Sequence, residues 1–145
     1  MIEGLSNIHL VSAAIRDAVA PVFLLTGIGS FLAVMTSRLG RAIDRARYLN
    51  ELPEEVLIKH KDDLKLLIKR TKWLRRAVAL ATFAAFAVCI SIATLFLGVE
   101  LGINMSHMVL LSFITSMFSV IFGLLCFLRE IVLASREVIA PFKHK

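Results

Sequence analysis

The sequence predicts an all-α membrane protein with three transmembrane helices, the first two extended into a cytoplasmic antiparallel coiled-coil hairpin. Three observations carry this prediction. Ala18–Ser37, Ala77–Val99 and Leu101–Leu128 contain no Asp, Glu, Lys or Arg, and a helix needs about 20 such residues to cross a hydrocarbon core. Apolar residues make up 58% of the chain and mean hydropathy is +0.80, yet the net charge is +6. A soluble helix interleaves polar residues every three or four positions, and 145 residues offer too little other chain to cover three such runs. Third, the basic residues are unevenly distributed: Arg16 alone precedes the first run, twelve Lys and Arg occupy 38–76, none lies in the turn at 100–104, and four follow Leu128. Short basic segments stay on the cytoplasmic side, so the N-terminus is expected outside and the C-terminus inside.

Residues 1–17 place Ile2, Leu5, Ile8, Ser12 and Ile15 on one side at helical spacing. This suits an interfacial amphipathic helix on the outer surface, with Pro21 opening the first span. The segment lacks a basic start, and its "AVA" precedes the apolar run, so no cleaved signal peptide is expected. The first span, 18–37, has Thr26, Ser30 and Ser37 in line with Arg41, a path of hydroxyls leading to a basic mouth. These four are the candidate pore-lining residues. Gly27 and Gly29 beside them are candidate helix-packing positions, because small residues let helices approach closely in lipid.

The hairpin, 38–76, is helix, break and helix. Leu39, Ile43, Ala46 and Leu49 form an apolar stripe on the first arm. Leu57, His60, Leu64, Leu67, Thr71, Leu74 and Val78 alternate at three- and four-residue steps on the second, a coiled-coil seam. Pro53, Glu54 and Glu55 suit the first turn of that second helix. Asp44 is spaced to pair with Arg41 and Arg47 on its own face. Arg38, Arg45, Trp73, Arg75, Arg76 and Arg129 flank the spans and are the candidate lipid-headgroup contacts.

Span 77–99 has a small-residue face through Ala77, Ala81, Ala84, Ser91, Thr94 and Gly98. Span 105–128 has one through Ser112, Ser116, Ser119, Gly123 and Cys126. Ala81, Ser116, Ser119 and Gly123 are taken as packing residues. Phe113, Met117, Val120, Leu124 and Phe127 are expected to face lipid. In the basic tail, 129–145, Glu130 is expected to pair with arginines of the hairpin.

Several chemistries lack their residues. Cys89 and Cys126 form no CxxC, and the four histidines are too dispersed for metal spacing. No Walker loop or GxSxG occurs, and Gly27-x-Gly29 is too short a pattern for a phosphate cradle. With no ionisable side chain inside a span, a proton-driven pump is disfavoured. Tyr48 and Trp73 form no stacking platform, so nucleic acid is not an expected partner. No enzyme activity, cofactor or metal is expected.

At "PVFLLTGIGSFLAVMTSRLGRAIDRAR", 21–47, the chain resembles a family of small bacterial membrane proteins known only as domain of unknown function 2721. "RRAVALATF", 75–83, and "FLREIVLASR", 127–136, are similar to the same family. In that family the position of Ser37 is often Asn and that of Gly40 often Ala, which keeps the small or small polar character. The resemblance implies a bacterial inner-membrane protein and brings no activity, substrate or cofactor. Two functions remain in view. One is a homo-oligomeric assembly in the bilayer that forms an ion-conducting pore lined by the first helix. The other is a scaffold or insertion factor whose hairpin meets an unidentified cytoplasmic partner, with a topology similar to the Oxa1 superfamily, a fold-level analogy only.

Overall fold

The computed structural model describes residues 2–51, 53, 56, 58 and 61–139, with side chains placed between 8 and 135. Three long α-helices make up most of the described residues, which contain no strand: α1 (Ile2–Asn50), α2 (Lys61–Leu101) and α3 (Ser106–Ile139). All three are long and apolar enough to cross a membrane. Burial agrees with that use. Only 22%, 28% and 17% of their most apolar windows is buried within the chain, and Phe23, Phe86, Met108 and Leu111 are each 64% exposed or more. Such a continuous apolar exterior suits hydrocarbon and not water.

α1 departs from the sequence expectation. Residues 2–17 form no separate helix of the interfacial kind expected; α1 runs without a break through Pro21. A proline in a helix interior removes one amide donor and crowds the preceding turn, but within a long apolar helix the remaining bonds keep the axis running. Ile8 and Ile15 are exposed, while Ala14 and Ala18 are buried; the side chains of Ile2 and Leu5 lie outside those described.

The turn between α2 and α3 follows from Gly102. Its φ of 63° lies in the left-handed region that glycine adopts without steric cost. The Ile103 amide donates to the Gly98 carbonyl at 3.1 Å and the Gly102 amide to Val99 at 3.4 Å, the paired bonds of a Schellman C-cap. Asn104 Oδ1 then accepts from the Ser106 amide at 3.2 Å, satisfying one of the first amides of α3. Glu100 and Leu101, expected in the turn, are helical.

The chain divides into two compact units. The first comprises Met1–Phe31 and Ala81–Val120. Its interior is built from Ala14, Ala18 and Ile28 of α1 and Ala81, Ala84, Ala87 and Val88 of α2. Ser91 and Ser116 are also buried there. Ser116 Oγ donates to the Ala84 carbonyl at 2.9 Å and Ser91 Oγ to Val109 at 3.3 Å. Small residues on α2 and α3 thus bring backbones close enough for side-chain hydroxyls to bond across the pair.

The second unit comprises Leu32–Leu80 and Ile121–Lys145. Met35, Leu49, Leu67, Leu74 and Ala77 form its apolar interior. Of the expected hairpin seam, Leu67 and Leu74 are buried and Leu64, Thr71 and Val78 half-buried; Leu57 and His60, like Glu54 and Glu55, lie outside the described residues. Leu39 and Ala46 are half-buried, whereas Ile43 is exposed. Pro53 precedes the second arm as a non-helical residue, its carbonyl accepting from the Val56 amide at 2.9 Å.

Candidate functional site

Glu130 is the most buried ionisable side chain among those described. It comes from α3 and is 2% exposed, and the second unit closes two guanidinium groups on it. Arg38 Nη1 of α1 donates to Oε2 at 3.1 Å, and Arg70 Nη2 of α2 donates to Oε1 at 3.0 Å. Each carboxylate oxygen therefore has its own charged donor, the strong form of hydrogen bond. The Arg38 guanidinium also lies 5.5 Å from the Phe127 ring centroid, a cation–π contact. Three helices are tied through one buried carboxylate. The expected pairing of Glu130 with hairpin arginines is therefore realised, and Arg38 turns inward to it where a headgroup contact was expected. Phe127, expected to face lipid, instead carries Arg38. Asp44, expected to pair with Arg41 and Arg47, makes no ion pair among the described residues; those found are Arg38–Glu130, Arg70–Glu130 and Lys65–Asp62.

A second polar arrangement in the same unit surrounds Trp73. The guanidinium of Arg76 lies 5.1 Å from its ring centroid and that of Arg129 5.8 Å. The ring adjoins a groove of about 550 Å³ lined by Phe122, Leu125, Cys126, Leu128, Arg129 and Val132. Arg45 and Arg75, also expected at the headgroups, are exposed.

The first unit contains a larger groove of about 700 Å³, lined by Leu10, Asp17, Ala20 and Pro21 of α1, Ser91, Thr94, Leu95, Gly98 and Val99 of α2, and the turn with the start of α3. Most of the lining is apolar, including Leu95, Val99, Ile103, Val109 and Phe113. Phe113, expected toward lipid, thus helps line this groove. Asp17 is its one ionisable lining residue among those described, and Ser91 and Thr94, from the charge-free run of α2, line the same groove. Sequence reading missed Asp17 by starting the first span after it. The signal was present in the mismatch between a 23-residue run in α2 and a 20-residue run in α1.

The outer face of α1 holds the candidate pore residues. Thr26, Ser30, Ser37 and Arg41 are all exposed. Thr26 Oγ1 donates to the Val22 carbonyl at 3.1 Å and Ser30 Oγ to Thr26 at 3.2 Å, while Arg41 Nη1 donates to Ser37 Oγ at 2.9 Å. Among the described residues, the Thr26 and Ser30 hydroxyls donate within α1 alone. The packing residues divide. Ala81, Ser116, Ser119 and Gly123 are buried. Gly27 and Gly29 are not packed within the chain: a Cβ at either would meet nothing within 4 Å. Among the described residues no group of His, Cys, Asp and Glu is placed to hold a metal ion.

A family model described as "Protein of unknown function (DUF2721)" matches residues 18–139. No curated protein and no solved structure matches the chain.

Proposed function

The chain belongs to the protein family of unknown function DUF2721, and from that premise we propose that it is a multi-pass membrane protein that assembles with copies of itself through the outer face of α1. The observation that carries the proposal is the open space at Gly27 and Gly29, beside the exposed hydroxyls of Thr26 and Ser30. Helices associate in lipid where small residues let backbones meet, and this face has small residues with no neighbour. The basic-residue count orients the assembly with the N-terminus outside and the 38–76 hairpin and C-terminus in the cytoplasm of a bacterial inner membrane. A ring of α1 helices would present the Thr26 and Ser30 oxygens, whose lone pairs stay open, toward a central ion path ending at Arg41. The role is non-enzymatic.

The test is oligomeric state in lipid nanodiscs. Wild type is expected above monomer mass and Gly29→Leu at monomer mass, with unchanged unfolding of the single chain because the site is open. A strictly monomeric wild type refutes the assembly. In an oligomer, liposome ion flux lost in Ser30→Leu supports the pore, and equal flux refutes it.

The Glu130 clamp favours a second reading, a scaffold or insertion factor. It ties α1, α2 and α3 together beside a hairpin whose Tyr48 and Ile58 are 61% and 68% exposed, surface suited to a cytoplasmic partner. Crosslinking from residue 51 that recovers only further copies of this chain argues against it.

A further inference from the structure

We propose that Trp73, Arg76 and Arg129 form a binding site for the headgroup of an anionic phospholipid, with an acyl chain in the adjoining groove. The inference rests on the membrane reading and is independent of self-assembly. Two guanidinium groups, from α2 and α3, approach one indole ring, at 5.1 and 5.8 Å from its centroid. Like charges repel, and neither arginine has a carboxylate partner among the described residues. Glu130, the adjacent acid, is already occupied by Arg38 and Arg70. The ring quadrupole offsets part of the repulsion, and a phosphate completes it, since guanidinium matches phosphate oxygens in charge and in fork geometry.

The position suits that occupant. Trp73 stands just before the charge-free run of α2, and Arg129 directly follows that of α3. Tryptophan and arginine concentrate at the level of lipid headgroups. Beside them the groove of about 550 Å³ is lined by Phe122, Leu125, Cys126 and Leu128. Its apolar lining suits an acyl tail and a free phosphate would leave it empty. The occupant is therefore a bilayer lipid.

Trp73 is the only tryptophan, so its fluorescence reports the site directly. The full chain is reconstituted in phosphatidylcholine bilayers containing equal fractions of either brominated phosphatidylglycerol or brominated phosphatidylcholine. Phosphatidylglycerol is expected to quench the more strongly. Arg76→Gln and Arg129→Gln should each lower the preference about fivefold, the effect of one basic residue near an anionic surface. Arg41→Gln should leave it unchanged. Arg76→Lys/Arg129→Lys, which keeps both charges and guards against misfolding, should retain most of the preference. Equal quenching by the two lipids overturns the site, as does a preference that survives Arg76→Gln/Arg129→Gln. Loss of the preference on adding inorganic phosphate reassigns the site to a soluble anion and also overturns it. Quenching by neither lipid removes the membrane reading itself.

Discussion

Replacing Glu130 by Gln keeps the size of the side chain and removes its charge, leaving Arg38 and Arg70 facing a neutral amide. Removing one partner of a buried ion pair costs about 3–5 kcal/mol, because the partner's charge stays out of water. Here the carboxylate side chain is 3% exposed, whereas those of Arg38 and Arg70 are 38% and 20% exposed. Partly wet guanidinium groups recover hydration, and an exposed pair contributes only about 0–1 kcal/mol. The expected loss is therefore near the lower bound, about 3 kcal/mol, a factor of about 150 in the folding equilibrium. Arg70→Gln should destabilise more than Arg38→Gln, in the order of their burial. The assay is unfolding in mixed micelles of rising dodecyl sulfate fraction, followed by Trp73 fluorescence. An unfolding free energy of Glu130→Gln within about 0.5 kcal/mol of wild type, the range of ordinary surface substitutions, refutes the reasoning. So does a reversed order of the two arginine variants.

Other sites give sharper but smaller effects. Ser116, fully buried with its hydroxyl on the Ala84 carbonyl, should tolerate Ala at about 0.6 kcal/mol, the mean for a hydrogen bond between membrane helices. Ser116→Leu should cost about 1–3 kcal/mol by overpacking; equal midpoints for the two variants in the same micelle titration would contradict close α2–α3 packing. Gly102→Ala should cost about 1–2 kcal/mol, since the residue is left-handed and a side chain there is strained; an unchanged midpoint would mean that the turn relaxes. Asp17→Leu should favour membrane insertion of α1 by up to about 3 kcal/mol, scored by translocon insertion of the isolated segment. No change would put Asp17 outside the hydrocarbon.

The three helices were legible because the bilayer imposes a length and a charge rule on sequence that few alternatives satisfy. Glu130 was legible too: an acid flanking a span, in a chain with twelve basic residues between the first two spans, has arginines within reach in most packings. Its particular partners were not, because Arg38 and Arg70 are distant in sequence and only the packed second unit brings them together. Asp44 failed for the converse reason. Local spacing allows its pair with Arg41 or Arg47, but exposed pairs gain little, and Arg41 bonds Ser37 instead. Pro21 misled as a helix start because sequence alone does not tell a first-turn proline from one inside a long helix. That error hid Asp17, which the continuous helix carries into an apolar groove.

The destination of each hydroxyl proton separates the inner faces from the outer one. Ser91 and Ser116 donate across to a carbonyl of another part of the chain, so their polarity is used between helices. Thr26, Ser30 and Thr36 all donate to carbonyls of α1 itself, four residues back. Bonded in this way they can face lipid without an unsatisfied donor, so the hydroxyls alone do not demand a partner. The glycines do. A glycine in a helix interior costs about 1 kcal/mol relative to alanine, and Gly27 and Gly29 both lie within α1 with open space where a Cβ would be. Alanine would fit both sites in the single chain. What alanine would obstruct is the approach of a backbone from outside, and the self-assembly proposed above would place the α1 of a second copy there.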